Sequence, residues 1–148
     1  MNPKSSERPF RETEVYLVHK LVIQIDQFAR DSVLANEGIT YAEFLVLMAV
    51  GDVAVPVQEN LCRYLDQSKS LISQRITALK VKGLVRQEER PENRRQTLVY
   101  LTATGGEVLA RTAGLLSQAS ESLLEILGSE REAFRLNLKA LVAEMEEP

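Results

Sequence analysis

Tryptophan is absent from this 148-residue chain, and cysteine and histidine occur once each. A single cysteine closes no internal disulfide, and no Cys/His cluster exists to hold zinc. The same scarcity leaves no convincing pairing of a general base with a nucleophile, and the acids fall mainly on solvated faces, so no catalytic role, cofactor or metal is expected. Gly105-Gly106 lacks the spacing and the lysine of a phosphate-cradling loop. No apolar run approaches the roughly 18 residues of a membrane span. The polar segment Met1 to Arg8 lacks the apolar core of a signal peptide, so a cytoplasmic location without membrane contact is expected.

What is present is apolar enough to build a core. Hydrophobic residues make up 45% of the chain and charged residues 26%. That suits one globular domain and excludes a disordered polar tract. The net charge of −3 argues at first against a nucleic-acid partner, but it is unevenly spread. From Arg63 to Arg95 there are nine Lys/Arg and four Asp/Glu, a balance of +5, against −8 for the remainder. An anionic partner responds to a local field more than to a total.

Glycine and proline are sparse, seven and five residues, so long helices are expected. From Glu12 to Ala35, Val15, Val18, Leu21, Val22, Ile25, Phe28 and Ala29 recur at helical spacing. Gly38 suits a left-handed helix end. Thr40 and Glu43 have capping-box spacing and open a short helix through Val50. Gly51 to Val55 reads as a turn, with Pro56 in the first turn of a helix carrying Val57, Leu61 and Leu65. Ser68 caps the next helix, whose inward stripe is Ile72, Ile76 and Leu79, and Gly83 stops it.

Leu84–Gln87 and Gln96–Leu101 then read as two strands around a polar loop, Glu88 to Arg95. Thr104 and Glu107 form a second capping box, opening a helix that runs to Gly128. Ser129 and Glu132 form a third, opening a last helix with Phe134, Leu138, Leu141, Val142 and Met145 on one side.

Two short helices, a tight turn and a two-stranded hairpin describe a winged helix-turn-helix in a mainly α chain. The second helix exposes Lys69, Ser70, Ser73, Gln74 and Thr77, all able to hydrogen-bond base edges in a major groove. Arg94 and Arg95 stand at the hairpin tip, where guanidinium groups can enter a minor groove. Arg63, Arg75, Lys80, Lys82, Arg86 and Arg90 are candidate phosphate contacts. The plainer alternative for each is a solvated face or loop.

The stretches "QENLCRYLDQSKSLISQRITALKVKGLVRQ" and "RPENRRQTLVYLTATG", preceded by Gly38-Ile39-Thr40 and Glu43-Phe44, resemble the MarR family of transcription regulators. The resemblance covers Gly38 to Gly105 by motif and the flanking helices by length and order. The family's wing often reads Asp-Pro-x-Asp-Arg-Arg. Here Arg90 replaces the first acid and Asn93 the second, so the wing is more cationic and its arginine lacks charge assistance.

The resemblance implies a single domain, 1–148. Helices in 10–36 and 104–148 would pair two copies, and 38–102 would form the DNA-binding region. It implies a homodimeric repressor on a palindromic double-stranded operator, released by a small aromatic or phenolic effector. Tyr16, His19 and Phe44 are candidate lining for that ligand. The surplus leucines of 108–127 and 134–145, with the Val15-to-Ile25 stripe, would otherwise leave an exposed apolar patch. Two alternatives stand beside this reading. One is a helical dimer using the winged fold for protein contacts alone. The other is a regulator switched by oxidation of Cys62, against the plainer reading of Cys62 as a buried, inert side chain.

Overall fold

The computed structural model describes residues 8–146. The segment 1–7, which holds most of the polar N-terminus, lies outside the described residues. The chain is mainly α with one two-stranded ribbon, a winged helix-turn-helix fold. It forms two compact units, one ending at Thr112 and the other starting at Ala113.

In the first unit a 3-10 turn, Phe10–Glu12, leads to α1, Glu14–Ala29. Thr13 caps α1 by accepting the Tyr16 backbone N–H on its side chain, so the helix begins two residues later than periodicity suggests. A π-helical turn, Arg30–Leu34, comes next and leads into α2, Ala35–Glu37. A π turn carries an extra residue, which rotates the side chains beyond it about the helix axis. Here Val33 and Leu34 are buried, whereas Val15, Val18, Val22 and Ile25 are exposed. Gly38 ends the run at φ 66°, the left-handed conformation that a side chain would disfavour.

The Thr40–Glu43 capping box is present, with both reciprocal hydrogen bonds formed. It opens α3, Tyr41–Asp52. Gly51 and Asp52 are thus helical, correcting the turn expected from Gly51, and after them Val57 makes a single bridge to Leu98. α4 spans Gln58–Leu65 with Val57 as its N-cap. Pro56 therefore lies before the helix, where its carbonyl accepts the Val99 N–H at 2.9 Å. Having no N–H of its own, proline loses nothing in that position.

α5, Lys69–Val81, is capped by Ser68, whose side chain accepts the Leu71 N–H, and Gly83 lies just past its end at φ 71°. α3, α4 and α5 pack on one another and on the ribbon. Leu47, Leu61, Ile72, Leu79 and Val99 are fully buried between them. Each such side chain contributes about 1.5–3 kcal/mol relative to exposure.

The ribbon is longer than alternation in the sequence suggests. β1 covers Val85–Arg90 and β2 covers Asn93–Leu101, antiparallel, with a bulge between Glu89 and Arg90. The connecting turn is only Pro91-Glu92, not Glu88 to Arg95. Arg94 and Arg95 are therefore strand residues near the tip. Most of this ribbon's outer half is solvated, so it needs no alternation of apolar and polar side chains.

α6, Ala103–Leu124, starts one residue after Thr102. The cap is Thr102 and not Thr104. The Thr102 hydroxyl accepts the Gly105 N–H at 3.0 Å and donates to the Gly83 carbonyl at 2.6 Å. That second bond ties the start of α6 to the end of α5.

The second unit holds the remainder of α6, a 3-10 stretch Glu125–Glu130 and α7, Arg131–Glu146. Gly128 breaks the helical path at φ 49°, ψ −124°. The Glu132 carboxylate takes Arg135 and not the expected capping contact. Leu115, Leu123, Ile126, Leu141, Val142 and Met145 are exposed. Among the described residues no single helix is long and apolar enough to cross a membrane.

Candidate nucleic-acid interface

The outer face of α5 is dictated by its inner one. A helix turns about 100° per residue, so burying Ile72, Ile76 and Leu79 sends Ser70, Gln74 and Thr77 outward and puts Ser73 on the flank of the same exposed face. All four are exposed, as is Lys69 at the start of the helix. The Thr77 hydroxyl donates to the Ser73 carbonyl at 3.0 Å, a local bond that occupies its proton.

The cations around this face divide by their partners. Arg75 is half-buried and its guanidinium donates to Gln67 in the α4–α5 turn. Lys80 donates to Gln87 of β1 at 2.9 Å. Lys82 forms an ion pair with the buried Glu43 at 2.6 Å. Arg63 meets Glu59 at 3.4 Å and Asn60 at 3.2 Å. Arg86 pairs with Glu88 while its guanidinium carbon lies 4.7 Å from the centre of the Tyr100 ring. Arg90 donates to Glu92 at 3.3 Å and to Gln96 at 2.9 Å, bracing the ribbon.

Arg94 and Arg95 differ from these. Their side chains are exposed, and neither has an ion-pair partner among the described residues. Asn93 accepts the Arg95 backbone N–H on Oδ1 at 3.1 Å. The amide at this position therefore shapes the strand start and does not hold a guanidinium. Exposed ion pairs such as Arg63–Glu59 contribute about 0–1 kcal/mol, so a phosphate can compete for those cations. Lys82 is held differently, because leaving would strand a buried carboxylate.

Between the start of α4, the start of α5 and the ribbon lies a cavity of about 460 Å³, lined in part by Val57, Cys62, Lys69, Gln87, Arg95 and Gln96. Cys62 is half-buried at this crevice, so it is not the fully buried side chain that its neighbours Leu61 and Leu65 suggest. Lys69 and Arg95, remote in sequence, share the crevice with it.

Of the candidate effector residues, Tyr16 and His19 lie one turn apart on α1 and Phe44 lies on α3. The Tyr16 ring meets Phe10 edge-on with centroids 5.4 Å apart. Phe44 is buried and tilted against Tyr41 at 6.0 Å. His19 is exposed on α1. None of the three lines the crevice beside α5.

Gln67, Gln87 and Gln96, which orient Arg75, Lys80 and Arg90, escape any reading of the sequence. Each acts across a turn or between strands, and a glutamine carries no spacing signal of its own. Glu43 carried a signal only for its cap, not for Lys82.

Residues 37–96 match the model of the MarR family. The transcriptional regulator HosA of Escherichia coli O111:H- is 28% identical over 97 residues, which cover 65% of this chain and 72% of that protein. The structure of Staphylococcus aureus MepR in complex with DNA superposes with a TM-score of 0.81 at 18% identity, covering 89% of this chain and 98% of that one. Bordetella bronchiseptica BpsR, whose DNA binding is regulated by 6-hydroxynicotinic acid, matches with a TM-score of 0.77 at 20% identity, over 96% and 99% of the two chains.

Proposed function

We propose that this chain, which belongs to the MarR family, is a sequence-specific double-stranded DNA-binding repressor that acts as a homodimer in the cytoplasm. The observation that carries the proposal is the pairing of two surfaces. α5 presents an exposed polar face backed by buried Ile72, Ile76 and Leu79, and the neighbouring ribbon presents Arg94 and Arg95 with no acidic partner among the described residues. A polar helix face suits a major groove, and arginines on a projecting ribbon suit the more negative minor groove beside it. The structural likeness to MepR, seen with DNA, and the sequence likeness to HosA, a transcriptional regulator, support the same reading.

In this proposal the 148 residues act as one domain. Residues 10–36 and 104–148 pair two copies, and 38–102 reads DNA. The exposed stripe Val15, Val18, Val22 and Ile25 supports pairing, because water is a poor neighbour for so continuous an apolar face. Two copies related by a two-fold axis read a palindromic operator. A small aromatic or phenolic effector, lined by Tyr16, His19 and Phe44, releases the repressor by favouring a spacing of the two α5 helices that misses successive major grooves. BpsR supports that class of ligand.

A titration of duplex fragments from the source genome over a range of salt tests the function. The expected result is tight binding to a small subset of fragments, weakening steeply as salt rises. Binding that is absent, or indifferent to salt, would overturn it in favour of a dimer working through protein contacts.

A further inference from the structure

We infer that Gln74 is the principal base-reading residue of α5 and that it selects an adenine in each half of the operator. The inference rests on the DNA-binding function proposed above and adds the base class to it.

Gln74 lies almost opposite the buried stripe, close to the middle of the exposed face. Its amide has no hydrogen-bond partner among the described residues, so its donor and acceptor are both available. An amide that offers one donor and one acceptor side by side matches adenine, which presents an N7 acceptor and an N6 donor in the major groove. Guanine presents two acceptors there, which suit arginine or lysine.

Three of the four cations of α5 and its end have partners within the fold. Arg75 is held by Gln67, Lys80 by Gln87, and Lys82 at the helix end by Glu43. Lys69 sits at the crevice between α5 and the ribbon. Arg75, the cation in the middle of the helix, is half-buried and engaged by Gln67, whereas the Gln74 amide beside it is exposed.

The neighbours of Gln74 agree with an A·T-rich contact. With its proton given to the Ser73 carbonyl, exposed Thr77 offers a hydroxyl acceptor, suited to the adenine N6 donor, and a methyl group, which suits a thymine methyl. Ser70 and Ser73 offer single hydroxyls, which accept any base. Arg94 and Arg95 add to the same preference, since A-tract minor grooves are narrow and most negative.

In vitro selection from a random duplex library tests this, using the full chain as wild type, Gln74→Ala and Gln74→Arg. Gln74 is exposed, so folding is unaffected, and circular dichroism checks that directly. The wild type should select two half-sites, each with an A·T pair whose preference is lost in Gln74→Ala and moves to G·C in Gln74→Arg. Affinity for the selected site should fall roughly tenfold in Gln74→Ala with its salt dependence unchanged. Placing 7-deazaadenine at that position should weaken the wild type similarly and leave Gln74→Ala unaffected. An unchanged motif in Gln74→Ala, or one whose lost position is G·C, overturns the inference while leaving DNA binding intact. Failure of the wild type to select any motif overturns the repressor function itself.

Discussion

Lys82, the residue that closes α5, donates from Nζ to Glu43 Oε2 at 2.6 Å, and the same oxygen accepts the Thr40 backbone N–H at 3.0 Å. One carboxylate therefore caps the start of α3 and anchors the end of α5. Lys82→Met removes the cation and leaves Glu43 buried without its charge partner. Because Lys82 is partly solvated, the expected loss is about 1–2 kcal/mol and not the larger cost of a wholly buried pair. Glu43→Gln keeps an oxygen for Thr40 and should cost less than Glu43→Ala, which also loses the cap, by about 1 kcal/mol. Urea unfolding of the three variants measures both. Equal losses for the two Glu43 variants would show that the cap contributes nothing.

Acid should act on the contact between Glu37 and Arg111. The guanidinium donates to both carboxylate oxygens, at 2.9 and 3.1 Å. Those hydrogen bonds lead in holding the Glu37 carboxyl below its ordinary value, with the charge of Arg111 adding to them and partial burial opposing. A carboxyl lowered on folding stabilises the fold above its unfolded value, and the effect is lost as pH falls through the folded one. Melting curves of wild type and Arg111→Met should run apart at neutral pH and draw together in acid. A gap that persists unchanged below about pH 3 contradicts this assignment.

Gly105 is required by contact and not by backbone angle. A Cβ there would lie 1.8 Å from the Leu84 carbonyl oxygen, and backbone cannot yield as a flexible side chain does. Gly105→Ala should destabilise by about 1–3 kcal/mol or more, although alanine ordinarily favours a helix. A rise in melting temperature would rule the clash out.

How far the sequence reached depends on the range of each interaction. The Thr40–Glu43 box, the Ser68 cap, the stops at Gly38 and Gly83 and the stripe Ile72, Ile76 and Leu79 are all local, and all were legible. Thr102 and Thr104 both read in sequence as possible caps, and it is Thr102 that the distant Gly83 carbonyl holds in place. The full length of the ribbon is not legible, because strands exposed on both faces carry charges where alternation is sought. At the candidate site, α5's outward residues emerged from periodicity alone. Which arginines are braced and which are not did not, because Gln67, Gln96 and Tyr100 reach them through the fold.

Pairing through α1 has its own consequence. Val22→Glu places a charge within the exposed stripe without disturbing the buried core. Sedimentation should show a shift from dimer to monomer, with DNA affinity falling more than about tenfold as the second reading helix is lost. A variant that sediments and binds as the wild type does would exclude α1 from the pairing surface.

In the proposed function α5 and the ribbon together hold DNA, with Arg94 and Arg95 as cations kept available for it. The most direct test compares the salt dependence of DNA binding for wild type and the Arg94→Ala/Arg95→Ala variant. Each arginine that neutralises a phosphate steepens the slope of log affinity against log salt by about one. The variant should bind more weakly, with a slope shallower by about two for each chain bound. An identical slope and affinity would contradict the account.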